Sequence, residues 1–155
     1  MLTGGSCVSI YSVEEYVSHD LDFVDVSYAS ATNIKRALAR IGFIAPKPGR
    51  RYFESEGCAY AVEFPSAPLA IGDESVSLEQ TSSVKTPKGV LRLLSPTDCV
   101  KDRLSHYCHW KDAQGLAQAV LVARRQPVKM GEIKRWLISE GFPELYAEFA
   151  TQLEK

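Results

Sequence analysis

Asp20 and Asp22 alternate with Leu21 and Phe23 in a stretch that reads as a strand over residues 19–26. Side chains at i and i+2 of a strand share a face, with their Cα atoms about 6.5–7 Å apart. Two carboxylates so placed can share a divalent ion, or a pair of ions about 3.5–4 Å apart. Magnesium prefers hard oxygen ligands and usually meets one or two carboxylates plus substrate phosphates. Glu63, in AYAVEF, is the candidate third carboxylate. It lies in an apolar strand, where a lone ionised group is costly unless it is paired or metal-bound. Gly4-Gly5-Ser6 stands ahead of the pair. Glycines let a backbone come close to a ligand, and a helix after them presents free N–H groups. With the Ser6 hydroxyl, they could hold the outer phosphates of a nucleotide whose metal sits on Asp20 and Asp22. The plainer alternative is a Gly-Gly turn followed by aspartates on a solvated strand face. A second acidic pair, Glu54-Ser-Glu56, is read as turn chemistry.

The elements that must position these residues follow from periodicity. A short amphipathic helix is expected over residues 6–16, with Ser6 near its N-cap. Residues 31–41 are helical by period (Ile34, Leu38, Ile41), and Gly42 stops them. Residues 45–49, with two prolines, form a loop. Residues 51–53 and 58–64 read as a strand pair around a turn at 55–57, ended by Pro65 and Pro68. Residues 75–83 and 89–94 are two more expected strands. Ser95-Pro96-Thr97-Asp98 is a helix start with proline in the first turn. Helical runs are expected from there to Tyr107, then over 111–124, 128–139 and 143–153. The order gives an α+β fold: a small mixed sheet with flanking helices over 1–94, then a C-terminal helical bundle over 95–155 packed on that core as one compact unit.

Composition narrows the classes. At 155 residues and 45% hydrophobic content, the chain can bury a core as one domain, or one domain with a helical appendage. A net charge of -1 makes the whole chain a poor attractor of nucleic acid, but leaves room for a local basic patch. Neither a secretory signal nor a long apolar span is visible, so the expectation is a cytoplasmic protein away from the membrane. The cysteines are then reduced thiols. Cys99, His106, Cys108 and His109 invite a zinc reading, but their spacing fits no common finger or ribbon. A helix with buried thiols and surface histidines is expected instead.

Gly4-Gly5-Ser6, thirteen residues, then Asp20-Leu21-Asp22 resembles the signature of the DNA-polymerase-β-like nucleotidyltransferases. The likeness is to small bacterial members, related to abortive-infection toxins and minimal nucleotidyltransferases. It implies that 1–94 is a nucleotidyltransferase-like core and that Asp20 and Asp22 bind magnesium. It also implies that Glu63 is the third carboxylate and helps activate an acceptor hydroxyl, and that Gly5 and Ser6 contact the triphosphate. The segment LLSPTDCVKDRLSHYCHWKDAQGLAQAVLVA is similar to their helical part. That places Lys101 near a phosphate and Lys111 and Asp112 at the cleft edge; the alternatives are a solvated helix face for Lys101 and Arg103 and a plain helix start for Lys111 and Asp112. The resemblance covers roughly residues 2–125. Two departures stand out. Only Met1-Leu2-Thr3 precede the turn, where relatives carry a helix and a full strand, and the third carboxylate is glutamate, where many have aspartate.

The resemblance thus implies transfer of a nucleoside monophosphate from a nucleoside triphosphate to an acceptor hydroxyl with two magnesium ions. The alternative is a non-catalytic module on the same fold, a nucleotide sensor or a toxin–antitoxin-type partner. Basic residues gather at Lys35-Arg36-Arg40, Lys47-Arg50-Arg51 and Arg124-Arg125-Lys129. Lining one cleft, they would suit an RNA acceptor; spread out, they are ordinary surface charge. A small hydroxylated molecule or a protein side chain is the other acceptor left open. Trp136, Phe142, Tyr146 and Phe149 read as core or as a dimer face.

Overall fold

The computed structural model describes every residue of the chain except Tyr28, Pro48, Arg50 and residues 66–68. The expectations placed on Arg50 and Pro68 therefore lie outside the described residues. The chain runs through α1 (Gly4–Tyr11), β1 (Asp20–Asp22), α2 (Ala31–Ala39), β2 (Tyr52–Phe53), β3 (Ala61–Glu63), β4 (Ala70–Ile71) and β5 (Glu74–Ser75). It continues through β6 (Ser82–Thr86), β7 (Gly89–Leu93), α3 (Pro96–Trp110), α4 (Ala113–Arg125), α5 (Met130–Ser139) and α6 (Leu145–Glu154). Strands and short helices come first and four consecutive helices last, so the fold is α+β.

β1 lies parallel to β3, and β2 pairs antiparallel on the far side of β3, in the order β1-β3-β2. The three residues ahead of the glycines tie this sheet to the β6–β7 hairpin. Leu2 bridges Phe23 in the antiparallel sense and Leu93 in the parallel sense. Thr3 N donates to Asp22 O at 2.8 Å and Val24 N to Met1 O at 2.9 Å. On the other edge Leu2 N donates to Arg92 O at 2.8 Å and Leu94 N to Leu2 O at 3.2 Å. The segment ahead of the turn is thus paired on both sides.

Two local expectations are corrected. α1 starts at Gly4 and stops at Tyr11, five residues short of the expected end, because Val13 and Glu14 take left-handed backbone (φ 55° and 63°). Thr3 holds the N-cap position, and Ser6 lies inside the helix. The single strand expected over 75–83 is instead β5, a 3-10 turn at Leu78–Gln80, and β6. Ser77 causes the break: its hydroxyl accepts from Glu79 N at 3.3 Å, a local bond that competes with strand pairing.

α3 opens where the sequence foretold. The Ser95 hydroxyl accepts from Asp98 N at 3.1 Å, and Pro96 opens α3. Lys111, left-handed at φ 53°, ends α3, and Asp112 caps α4 by accepting from Gln114 N at 3.0 Å. A Cβ on Gly115 would lie 2.6 Å from the Arg103 carbonyl oxygen, so the missing side chain sets how closely α4 approaches α3. One buried cluster runs through Leu2, Cys7 and Val8, then Leu93 and Leu94, then Val100 and Leu104 of α3, Ala119 and Val122 of α4, and Ile133, Leu137 and Phe149 of the last helices. Trp136 and Phe149 belong to this core.

The β4–β5 hairpin is fastened to the helices by polar bonds. Trp136 Nε1 donates to Ile71 O at 3.1 Å, and Asp73 N donates to Glu140 Oε1 at 2.9 Å. Among the described residues, no helix is long and apolar enough to cross a membrane.

Candidate active site

The parallel register of β1 on β3 sets Asp22 beside Glu63 and Asp20 beside Ala61. In-register residues of paired strands point the same way, as do residues two apart on one strand. Asp20, Asp22 and Glu63 therefore share one face of the sheet. Their surroundings differ. Asp20 and Glu63 are exposed, while Asp22 is half-buried. The expectation that Glu63 carries a costly buried charge is thus corrected: β3 is buried at Ala61 and Val62 and opens to solvent at Glu63. The strained charge belongs to Asp22. Burial, then the charges of Glu63, Asp20 and Asp102, push its carboxyl up to about 6, against the opposing pull of Arg103. Among the described residues, no three acidic, histidine or cysteine side chains are gathered closely enough to hold one ion.

The glycines act on the carboxylate itself. Gly4 has a φ of +63°, and a Cβ there would collide with Asp22 Oδ2. The bare backbone at the start of α1 is what allows the Asp22 carboxylate to lie against it. Gly5 is packed by the Ser18 and Tyr16 hydroxyls, at 3.0 and 3.2 Å from where its Cβ would be. Ser6 is buried, and its hydroxyl donates to the Asp20 carbonyl oxygen. Ser6 borders a different cavity from Gly4, between α1 and the sheet. Gly4 and Ser6 thus lie on separate surfaces.

Asp22 and Gly4 border a cavity of about 410 Å³ whose opposite wall is α3, through Asp102, Arg103 and His106. Arg103 is buried, and its Nε and Nη2 donate to Asp102 Oδ2 at 3.0 and 2.6 Å, while Nη1 reaches Gln118 Oε1 at 3.4 Å. Burial opposes its charge, but Asp102 outweighs that and holds the guanidinium pKa above its ordinary value. Burial and then the Arg103 charge push His106 down, which favours its neutral imidazole.

Lys101 is neither at this cavity nor on a solvated face. It is buried, with Nζ 3.1 Å from both Glu74 carboxylate oxygens and 3.7 Å from Asp98 Oδ1. Lys111 is exposed at the end of α3, with Nζ 5.9 Å from the Tyr107 ring centre, and Asp112 is occupied as the α4 cap. Residues 101 and 103 lie about 200° apart around a helix, so only one of them can face β1. The sequence reading put Lys101 there; the structure puts Arg103 there, with His106 one turn on. That i, i+3 pairing of a base and a histidine was the available signal, but the orientation of α3 is a tertiary fact. Cys99 and Cys108 are buried thiols as expected, whereas His106 faces the cavity.

Compared with protein-family models, curated proteins and solved structures, the chain has no significant match.

Proposed function

We propose that the chain is a nucleotidyltransferase, moving a nucleoside monophosphate from a nucleoside triphosphate to an acceptor hydroxyl. The observation that carries this reading is the β1/β3 register, which aligns Asp20, Asp22 and Glu63 on one face, with Arg103 across the cavity from Asp22. The chemistry of these ligands suits a hard divalent cation shared by adjacent pairs of carboxylates, since the three are not gathered around one point. The ligands are carboxylate oxygens, and Asp22 bears a charge that its neighbours leave uncompensated. Asp20, Asp22 and Glu63 would hold magnesium, which when bound neutralises the carboxylates and polarises phosphoryl oxygens. Arg103, fixed by Asp102 and Gln118, offers the rest of its fork to phosphate. Gly4 leaves room beside Asp22. Glu63, open to solvent, takes the proton of the incoming hydroxyl as its oxygen bonds to the α-phosphorus and the bond to pyrophosphate breaks.

The open spacing of the three carboxylates favours one competing reading, a non-catalytic nucleotide-binding or toxin–antitoxin-type module on the same fold. Calorimetry of each nucleoside triphosphate with and without magnesium tests the shared premise. Tighter binding with magnesium is expected, because the carboxylates repel a triphosphate until cations bridge them; equal affinity would overturn both. Incubation with labelled triphosphates and cell extract then separates the two. A labelled fraction identifies the enzyme and its acceptor, and magnesium-dependent binding with no transfer selects the module.

A further inference from the structure

We propose that the segment joining β1 to β2, centred on α2, is a docking surface for an RNA strand. If the nucleotidyl-transfer reading holds, this makes RNA the hydroxyl acceptor. Residues 26–53 carry six of the 18 Lys and Arg residues and none of the 19 Asp and Glu residues. A chain with a net charge of -1 thus concentrates positive charge on one stretch.

The fold presents this stretch outward. α2 buries no residue, yet it is well formed: the Ser30 hydroxyl accepts from Asn33 N at 3.2 Å, and Gly42 ends the helix with φ +87°. Ile34 and Leu38 are half-buried on one side of α2, with Arg36 and Arg40 exposed on the opposite side and Lys35 exposed at its flank. Among the described residues, none of Lys35, Arg36, Arg40, Lys47 and Arg51 makes an ion pair. The third basic group differs. Arg125 pairs with Glu15, Lys129 with Glu132 at 2.9 Å, and Arg124 Nη2 donates to Gln152 O at 2.7 Å. Those charges are used within the fold, and those around α2 are not.

Placement links the segment to the carboxylate face. It leaves directly from β1 and returns at β2, where Tyr52 is in register with Glu63 and Phe64 N donates to Arg51 O at 2.8 Å. Ile44 and Glu54 exchange bonds of 2.8 and 2.9 Å, which fastens its return limb. The return limb of the segment therefore ends beside Glu63. Arg36 and Arg40 lie one helical turn apart, about 6 Å along the axis. Three of the five described cations are arginines, whose planar fork matches phosphate.

The test is fluorescence anisotropy of the full chain with a fluorescein-labelled single-stranded oligoadenylate over a salt series. The parent should bind, with affinity falling steeply as salt rises. K35A/R36A/R40A should lose about two from the log–log salt slope, at about 0.7 per phosphate contact. It should keep the parent melting temperature, since all three substituted side chains are exposed. K129A should bind like the parent. An unchanged slope in the triple variant overturns the inference, as does displacement of the RNA by polyglutamate at equal charge, which would assign an acidic protein partner. Tighter binding to phosphatidylserine vesicles than to RNA would assign a membrane and overturn it too. Failure here leaves the magnesium-dependent nucleotide binding untouched. RNA binding without magnesium-dependent nucleotide binding supports the surface and removes the acceptor role.

Discussion

At Asp22 the carboxyl is held up to about 6 by burial and by Glu63 and Asp20, so ionising it costs the free protein stability. A raised carboxyl pKa gives stability that is fully present below the unfolded value of 3.8 and lost as pH climbs through the folded value of about 6. Two units correspond to about 3 kcal/mol, which screening of a half-exposed group lowers to about 1–2 kcal/mol. Asp22→Asn should therefore raise the melting temperature at pH 7.5 by a few degrees. The gain should vanish at pH 4, and magnesium-dependent nucleotide binding should be lost. Thermal melts in chelator at the two pH values read the first part, and calorimetry reads the second. Equal gains at both pH values would mean that Asp22 does not titrate as described. Arg103 belongs to the same local field. Shortening it to alanine should leave the half-buried Asp102 beside an empty place, destabilise the fold by about 1–3 kcal/mol and weaken triphosphate binding. Denaturant titration checks the first effect, and a fully stable Arg103→Ala protein would count against its role as the clamped base.

Among the elements, the start of α1 and the α3–α4 contact each depend on one glycine. Gly4→Ala places a methyl where the Asp22 carboxylate lies and forces alanine to φ +63°. The backbone strain alone costs about 1–2 kcal/mol. Displacement of the carboxylate should weaken metal binding as well, so magnesium titration should read a loss larger than the stability change explains. At Gly115 the obstruction is the backbone oxygen of Arg103, which cannot swing aside. Gly115→Ala should push α4 from α3 and lower stability by about 1–3 kcal/mol. A denaturation midpoint equal to the parent's would show that the helices can separate freely.

The molecule as a whole is held by a core that crosses the division at residue 95. Leu93 and Leu94 at the end of the sheet and Cys7 and Val8 of α1 belong to the same buried cluster as Val100, Leu104 and Ala119. Met1–Thr3 adds backbone bonds that join two sheets. Residues 1–94 alone would expose that apolar surface and lose the α3 wall of the cavity. They are expected to show no cooperative thermal transition by circular dichroism, while the full chain shows one. A sigmoidal melt of the fragment would establish two independent domains.

What the sequence determined by itself is what local physics controls. Alternation around Leu21 put Asp20 and Asp22 on one strand face, Ser95-Pro96 and Gly42 fixed helix ends, and the order of periods made the fold α+β. These rest on side-chain period and on backbone preference within a few residues. The tertiary structure decided the rest. It selected parallel pairing of β1 and β3, which puts Glu63 next to Asp22, and it turned α3 so that Arg103 faces the cavity while Lys101 goes to Glu74. It also exposed Glu63, where a buried charge was expected, left Asp22 half-buried, and assigned Gly4 to make room for a carboxylate. Strand partners and helix rotation are set by which faces bury together across the whole chain, and the charge a carboxylate tolerates is set by neighbours distant in sequence.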